Sequence, residues 1–262
     1  PHELAACARL GERWGYDEIN LNCGCPSERV QRGSFGACLM AEPELVRDCV
    51  RAMVDAVSLP VTVKHRICID KQENYGFVRD FVGAVALGGA RVFIVHARNA
   101  WLKGLSPKAN REVPPLRYEV VTRLKQDFPD LVIVLNGGLT SLEQCAQELA
   151  GVDGVMLGRE PYHHPWLLAS VDSALFGLSD TAKDRFELLD PLIAYTQRHV
   201  LAGGRVRDVT RHVLGLFNGF PGARRWRQCL SDASELAKND PMLIARAAQQ
   251  LSAREALTTK FG

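Results

Sequence analysis

Short β-branched runs alternate with amphipathic stretches through roughly the first 160 residues. The runs Tyr16–Cys23 (YDEINLNC), Val61–Ile67 (VTVKHRI), Arg91–Ala97 (RVFIVHA), Leu131–Leu135 (LVIVL) and Asp153–Leu157 (DGVML) read as strands. Apolar residues recur at helical spacing near 43–57, 74–88, 115–127 and 141–150, and residues 3–14 read as a helix ahead of the first strand. Strand and helix in alternation, without hairpin signals, predict a parallel sheet joined by crossover helices. After about Phe176 the strand pattern stops. Residues 183–203, 205–218, 221–230 and 241–256 read as helices, broken by Gly203-Gly204, Gly219 and Pro221-Gly222.

The strands end in polar or glycine-rich residues: Asn20 and Asn22, Lys64 and Arg66, His96, Asn136-Gly137-Gly138, and Gly158-Arg159. Function gathers at the carboxyl ends of parallel strands both in α/β barrels and in open doubly wound sheets. Two features favour the barrel. No GxGxxG follows any strand, and the last two strands end in NGG and LGR, where barrels build a phosphate site after strands 7 and 8. Counting back makes Tyr16–Cys23 strand 4 and leaves strands 1–3, on the order of 75 residues, unaccounted for. The expected fold is therefore α/β: a (β/α)8 TIM barrel, N-terminally truncated, with strands 4–8 in residues 1–178, plus a C-terminal all-α helical domain in residues 179–262.

Charge sharpens this division. The 262 residues carry +2 overall, but from Ser179 onward 13 Lys/Arg face 9 Asp/Glu, so the helical third is +4 and the rest −2. A polyanionic partner would suit that third. Hydrophobic residues at 47% and charged residues at 24% exclude a disordered or collagen-like chain, and no apolar run approaches the 18 or so residues of a membrane span. Eight cysteines without framework spacing fit a reducing cytoplasm. No metal site is expected, because Cys23-Gly24-Cys25 has no second pair at ligand spacing.

The densest chemical signal is Asn20-Leu21-Asn22-Cys23-Gly24-Cys25-Pro26. Alternation puts Asn20 and Asn22 on one face and Leu21 and Cys23 on the other. Cys25 lies past the strand, between Gly24 and Pro26, where a thiol can reach a substrate. Cys7, Cys38, Cys49, Cys68, Cys145 and Cys229 read as structural thiols. In the second strand Thr62, Lys64 and Arg66 share a face. A lysine in a strand covered on both sides is paired or working, and an anionic cofactor, a Schiff base or a buried ion pair would each suit Lys64. His96 ends the third strand on the face of Ile94, at a position read as level with Lys64. Asn136, Gly137 and Gly138 with Gly158 and Arg159 supply what a phosphate needs: backbone N–H groups that can approach closely, and a guanidinium. The long segment Arg98–Val113 carries Lys103, Lys108 and Arg111 beside Trp101. In the tail, GARRWRQ places Arg224 and Arg227 on one helical face, either as solvated charge or as contacts to RNA phosphates.

Taken together, NLNCGCPSERVQRGSFGACLM, VTVKHR, VFIVHARNAWLKGLSPKANREVPPL, LNGG, GVMLGR and HVLGLFNGFPGARRWRQCLSD resemble the flavin-dependent tRNA-dihydrouridine synthases, most closely the A-type bacterial subfamily. The resemblance covers nearly the whole chain. It implies a (β/α)8 barrel that binds FMN, a small helical tRNA-binding domain, NADPH as electron donor, and uridines 20 and 20a of the tRNA D-loop as substrates. No membrane and no obligate protein partner are implied. By the same resemblance Cys25 is the acid that protonates C5 of the uracil, after hydride from flavin N5 reaches C6. An unperturbed thiol, with a pKa of about 8.5, carries the proton such a step needs at neutral pH. Lys64 and His96 resemble flavin-contacting residues, and Asn136, Gly137, Gly138, Gly158 and Arg159 its phosphate site. Asn22 resembles a tRNA contact, while Lys108, Arg111, Arg224 and Arg227 match residues that set the orientation of bound tRNA. The family's first strands supply a loop and a glutamine against the flavin. Without them, residues 1–262 are expected to bind FMN weakly and to be impaired. Two other readings keep part of the pattern: a phosphate-binding barrel aldolase using Lys64, and a tRNA-binding module without cofactor.

Overall fold

The computed structural model describes residues 1–71 and 74–252. These form two compact units: residues 1–139 with 144–157, and residues 140–143 with those described from 158 onward.

In the first unit all five expected strands are present, a few residues shorter than read from sequence. They are β1 (Ile19–Cys23), β2 (Val61–Arg66), β3 (Val92–His96), β4 (Val132–Asn136) and β5 (Gly154–Met156). They make one parallel sheet in the order β1-β2-β3-β4-β5. The first strand starts at Ile19 rather than Tyr16, because Tyr16, Asp17 and Glu18 are exposed and only the Ile19 N–H reaches the neighbouring chain, at Pro60 O. Helices α1 (His2–Arg13), α2 (Glu28–Arg32), α3 (Pro43–Val54), α4 (Tyr75–Leu87), α5 (Tyr118–Asp127) and α6 (Leu142–Glu148) complete the crossovers. The five-residue α2 was not expected from the pattern.

The pleat sorts the sheet into two faces. Odd-numbered side chains, including Cys23, Val63, His65, Phe93, Val95, Ile133 and Leu135, are fully buried. The covering helices present Val46, Val50 and Met53 from α3, Val78, Phe81, Val82 and Val85 from α4, and Val121 and Leu124 from α5. Each fully buried aromatic such as Phe81 or Phe93 contributes about 2–3 kcal/mol of transfer free energy. Even-numbered side chains carry most of the polar residues; Asn22, Lys64, His96 and Asn136 remain at least partly open, while Thr62 and Arg66 are buried.

The second unit is helical, with α7 (Arg159–His163), α8 (Val171–Phe176), α9 (Leu189–Leu201), α10 (Val206–Thr210), α11 (Ala223–Ser231), α12 (Ala233–Ala237) and α13 (Leu243–Ser252). The expected helix over 205–218 is regular only to Thr210. Beyond it the chain turns, with Leu216 and Phe217 in the core and Gly215 so close to the His163 carbonyl that a Cβ would stand 2.2 Å from the oxygen. The expected helix over 241–256 is seen as Leu243–Ser252, and positions 253–256 lie outside the described residues. Trp226 anchors this core: it is fully buried, its ring lies 4.8 Å from that of Phe217, and its N–H donates to Val213 O at 3.2 Å.

Candidate functional site

Register arranges the even-numbered face of the sheet in rows. Asn22, Lys64, Ile94, Val134 and Gly154 form one, and Arg66, His96, Asn136 and Met156 form the next toward the carboxyl ends. The sequence reading set His96 level with Lys64; the register instead pairs it with Arg66 and Asn136, one side-chain step further on. Lys64 still meets that row. Its Nζ donates to Asn136 Oδ1 at 2.9 Å, and the amide's Nδ2 donates to Met156 O at 2.7 Å. One asparagine thus holds the lysine head and the next strand together. Burial, helped by the nearby Arg66 charge, pulls the Lys64 ammonium down to about 8.

Beyond β4, Gly137 and Gly138 both have positive φ, +118° and +70°. A Cβ on Gly137 would stand 2.5 Å from Cδ2 of His96, so only glycine lets this turn close against the imidazole. Tyr118 Oη fixes the turn from outside by donating to Gly137 O at 2.6 Å.

Past β1, Asn22 Oδ1 accepts the Gly24 N–H at 3.0 Å and starts the loop that carries Cys25. The loop closes where Ala37 N–H donates to Cys25 O at 2.9 Å. Gly36, with φ +71°, makes that approach possible, since a Cβ there would lie 2.4 Å from Cys25 O. The Cys25 thiol is half-buried, its S–H donating to Ser27 Oγ at 3.5 Å. Two residues earlier the outcome is opposite. Cys23 is sealed among apolar groups, and burial, with Cys49 and Cys38 adding to it, pushes its thiol up to about 12. Cys25 is therefore the more open thiol of this pair, and Cys23 is packing.

Sequence reasoning placed Arg66 on the polar face but gave it no role. In the structure it is 3% exposed, and its guanidinium donates to three backbone carbonyls: Gly24 O from Nε at 3.2 Å, and Asn99 O and Asn110 O from NH1 at 3.1 and 2.9 Å. Burial foremost, then the charges of Arg111 and Arg98, pulls its pKa down to about 10, so it remains a cation at neutral pH. Arginine, spread over a planar fork of donors, suits such a task better than lysine. His65, also unremarked in the sequence, lies between Phe81 and Phe93 with ring centroids at 5.2 and 5.9 Å. Its Nδ1 is 2.6 Å from Arg66 O, and burial drops it to about 4, a neutral core residue.

Lys108 and Arg111 are exposed, flanking the buried Asn110 in a 3₁₀ turn at Ala109–Arg111. The expected phosphate set divides between the compact units. Asn136, Gly137 and Gly138 belong to the first, and exposed Gly158 and Arg159, at the start of α7, to the second. In the second unit Arg224, Arg225 and Arg227 are exposed on α11, and Arg227 NH1 donates to Asn218 Oδ1 at 2.8 Å. Asn218 also draws in Arg185, whose NH1 donates to its carbonyl at 2.8 Å while the guanidinium lies 5.4 Å from the Trp166 ring. Arg185 had no distinguishing motif in the sequence. Among the described residues no group of three or more His, Cys, Asp or Glu side chains could hold a metal ion, and no helix is long and apolar enough to cross a membrane.

Comparison with known proteins gives these positions a context. The family model for Dihydrouridine synthase (Dus) matches residues 1–254. The tRNA-dihydrouridine(20/20a) synthase of Pseudomonas aeruginosa is 59% identical over 254 residues, 97% of this chain and 76% of that protein. The enzymes of the same name from Synechocystis sp. and Salmonella typhimurium are 53% and 52% identical, over 95% and 94% of this chain and 75% of each relative.

Proposed function

This chain belongs to the dihydrouridine synthase family, and from that premise we propose that it is a tRNA-dihydrouridine(20/20a) synthase, an oxidoreductase that reduces the C5–C6 bond of uridines 20 and 20a in the tRNA D-loop. Its five-stranded sheet is read as strands 4–8 of the family's (β/α)8 barrel, residues 1–178 as the catalytic part and residues 179–262 as the tRNA-binding part. The observation that carries the reading is the placement of two groups. A half-buried thiol, Cys25, stands on a pinned loop at the carboxyl end of the same sheet that presents Lys64 held by Asn136.

The donor set fits FMN. Arg66 lies close enough to Lys64, and Arg111 and Arg98 close enough to Arg66, for their charges to add to burial in lowering those two pKa values, and such a group of cations favours an anion. Gly137, packed against His96, and Gly138, packed against Leu116, both at positive φ, form the kind of tight glycine turn whose N–H groups can meet a phosphate. Lys64, His96, Asn136, Gly137 and Gly138 would hold the flavin. The chemistry a flavin would supply there, once reduced by NADPH, is the hydride for C6 of the uracil.

The protein's own part is proton delivery and placement. The Cys25 S–H transfers its proton to C5 and leaves the thiolate, so the charge built up by hydride addition is quenched on carbon. Arg66, a cation beside that loop, stabilises the thiolate formed. The Lys64 ammonium would stabilise negative charge on a flavin bound beside it. The uridine has to leave its stack to reach the sheet, so affinity comes from contacts elsewhere on the tRNA. Asn22, Lys108, Arg111, Arg224 and Arg227 supply those, in a reducing cytoplasm where the eight thiols stay free. Incubating the protein with unmodified tRNA, FMN and NADPH and digesting the product for mass spectrometry tests the proposal. Mass gains of two hydrogens at positions 20 and 20a are expected, and none at either would overturn it.

A further inference from the structure

We propose that Arg66 and Asn110 are positioning residues: one buried link that ties the Cys25 loop to the segment bearing Lys108 and Arg111. The inference rests on the reading of Cys25 as proton donor only for what the link accomplishes, not for its existence.

Arg66 joins three separate stretches of chain. Gly24, whose carbonyl takes Nε–H, immediately precedes Cys25, while Asn99 lies near the start of the long connection after β3 and Asn110 well along it. None of the three acceptors is a carboxylate. A guanidinium buried to 3% exposure and spent wholly on carbonyls loses its hydration without an opposing charge, so the gain lies in holding backbone. Asn110 carries the link outward. It is fully buried; its Oδ1 accepts from Trp101 N at 2.8 Å, and its Nδ2 donates to Trp101 O at 2.9 Å and Leu105 O at 3.4 Å. One amide therefore folds the connection around itself while its own carbonyl receives Arg66. Lys108 and Arg111 stand two residues before and one after it, exposed. Where RNA seats these two cations, the Asn110–Arg66–Gly24 chain of bonds holds the thiol loop in register with them.

A link of this kind is read by what happens to Cys25 when a residue in the other loop changes. In Asn110→Ala, iodoacetamide alkylation of Cys25 followed by peptide mass spectrometry should rise about threefold or more, from local opening of the loop. Alkylation of exposed Cys7 and buried Cys145 should not change. Hydrogen exchange in the peptide 24–37 should rise with it, and dihydrouridine kcat should fall about tenfold while reduction of flavin by NADPH keeps its rate. Arg66→Lys, which keeps the charge but cannot span three carbonyls, should show the same alkylation pattern. The proposal is overturned if Cys25 reactivity is unchanged in both variants, or if in both it rises only together with Cys145, which would mark general loosening. Absence of dihydrouridine from the wild-type reaction would sink the functional reading instead, because alkylation and exchange report the link without turnover.

Discussion

The carboxyl end of the sheet and helix α11 use the same cationic residue types to opposite effect. At the sheet, Lys64 and Arg66 are largely desolvated, each is fixed by named acceptors, and both have lowered pKa values. On α11, Arg224, Arg225 and Arg227 surround a buried Trp226 and face water. A buried charge is costly, immobile and specific, so its removal changes chemistry. Exposed charges are cheap and screened by salt, and several act additively on a polyanion.

The comparison orders the expected effects. The largest belongs to the thiol: Cys25→Ala should lower dihydrouridine formation about 10²- to 10⁴-fold while leaving reduction of bound flavin by NADPH intact. Loss of both together would give Cys25 a structural role and erase the distinction between it and Cys23. Next comes the core under the site. His65 titrates near 4 when folded and near 6.5 when unfolded. Between those values only the unfolded chain takes up the proton, so stability falls as pH drops through that window, by about 3 kcal/mol in full. Urea midpoints measured from neutral pH down to about pH 4 should show that slope, and His65→Phe, between Phe81 and Phe93, should flatten it.

A smaller effect is expected at Lys64. Its amine loses the proton as pH rises through about 8, so affinity for an anionic flavin should weaken above that pH. Bound anion itself raises the midpoint. Fluorescence titration of FMN should show the decline, and Lys64→Met should remove it at a cost of about tenfold in affinity at neutral pH. Indifference to pH in the wild type would take Lys64 out of the anion site. The mildest change belongs to α11: Arg224→Ala with Arg227→Ala should weaken tRNA binding a few-fold and reduce the slope of log affinity against log salt by about two. Flavin affinity should be unaffected. Unchanged binding at low salt would make α11 a solvated face only.

Periodicity by itself set the five strands and their parallel order, because burial on one face forces a period of two and crossover helices forbid hairpins. Composition alone located the surplus positive charge, and chain order put Lys64, His96 and Asn136 at strand ends. Local pattern could not say that Lys64 is bonded to Asn136, 72 residues away, or that His96 is level with Arg66 rather than Lys64. It set Cys23 on the face opposite Asn22 and Cys25 past the strand end, but only the packed helices make the first thiol dry and leave the second half-open. Nor could it show why Arg66 sits inside: its three acceptors are main-chain carbonyls, which every residue possesses and no sequence motif marks. The sequence determined which residues reach the rim of the sheet, through short-range stereochemistry. Tertiary structure decided which of them are held, charged and open, because desolvation and long-range hydrogen bonds exist only once distant segments are packed.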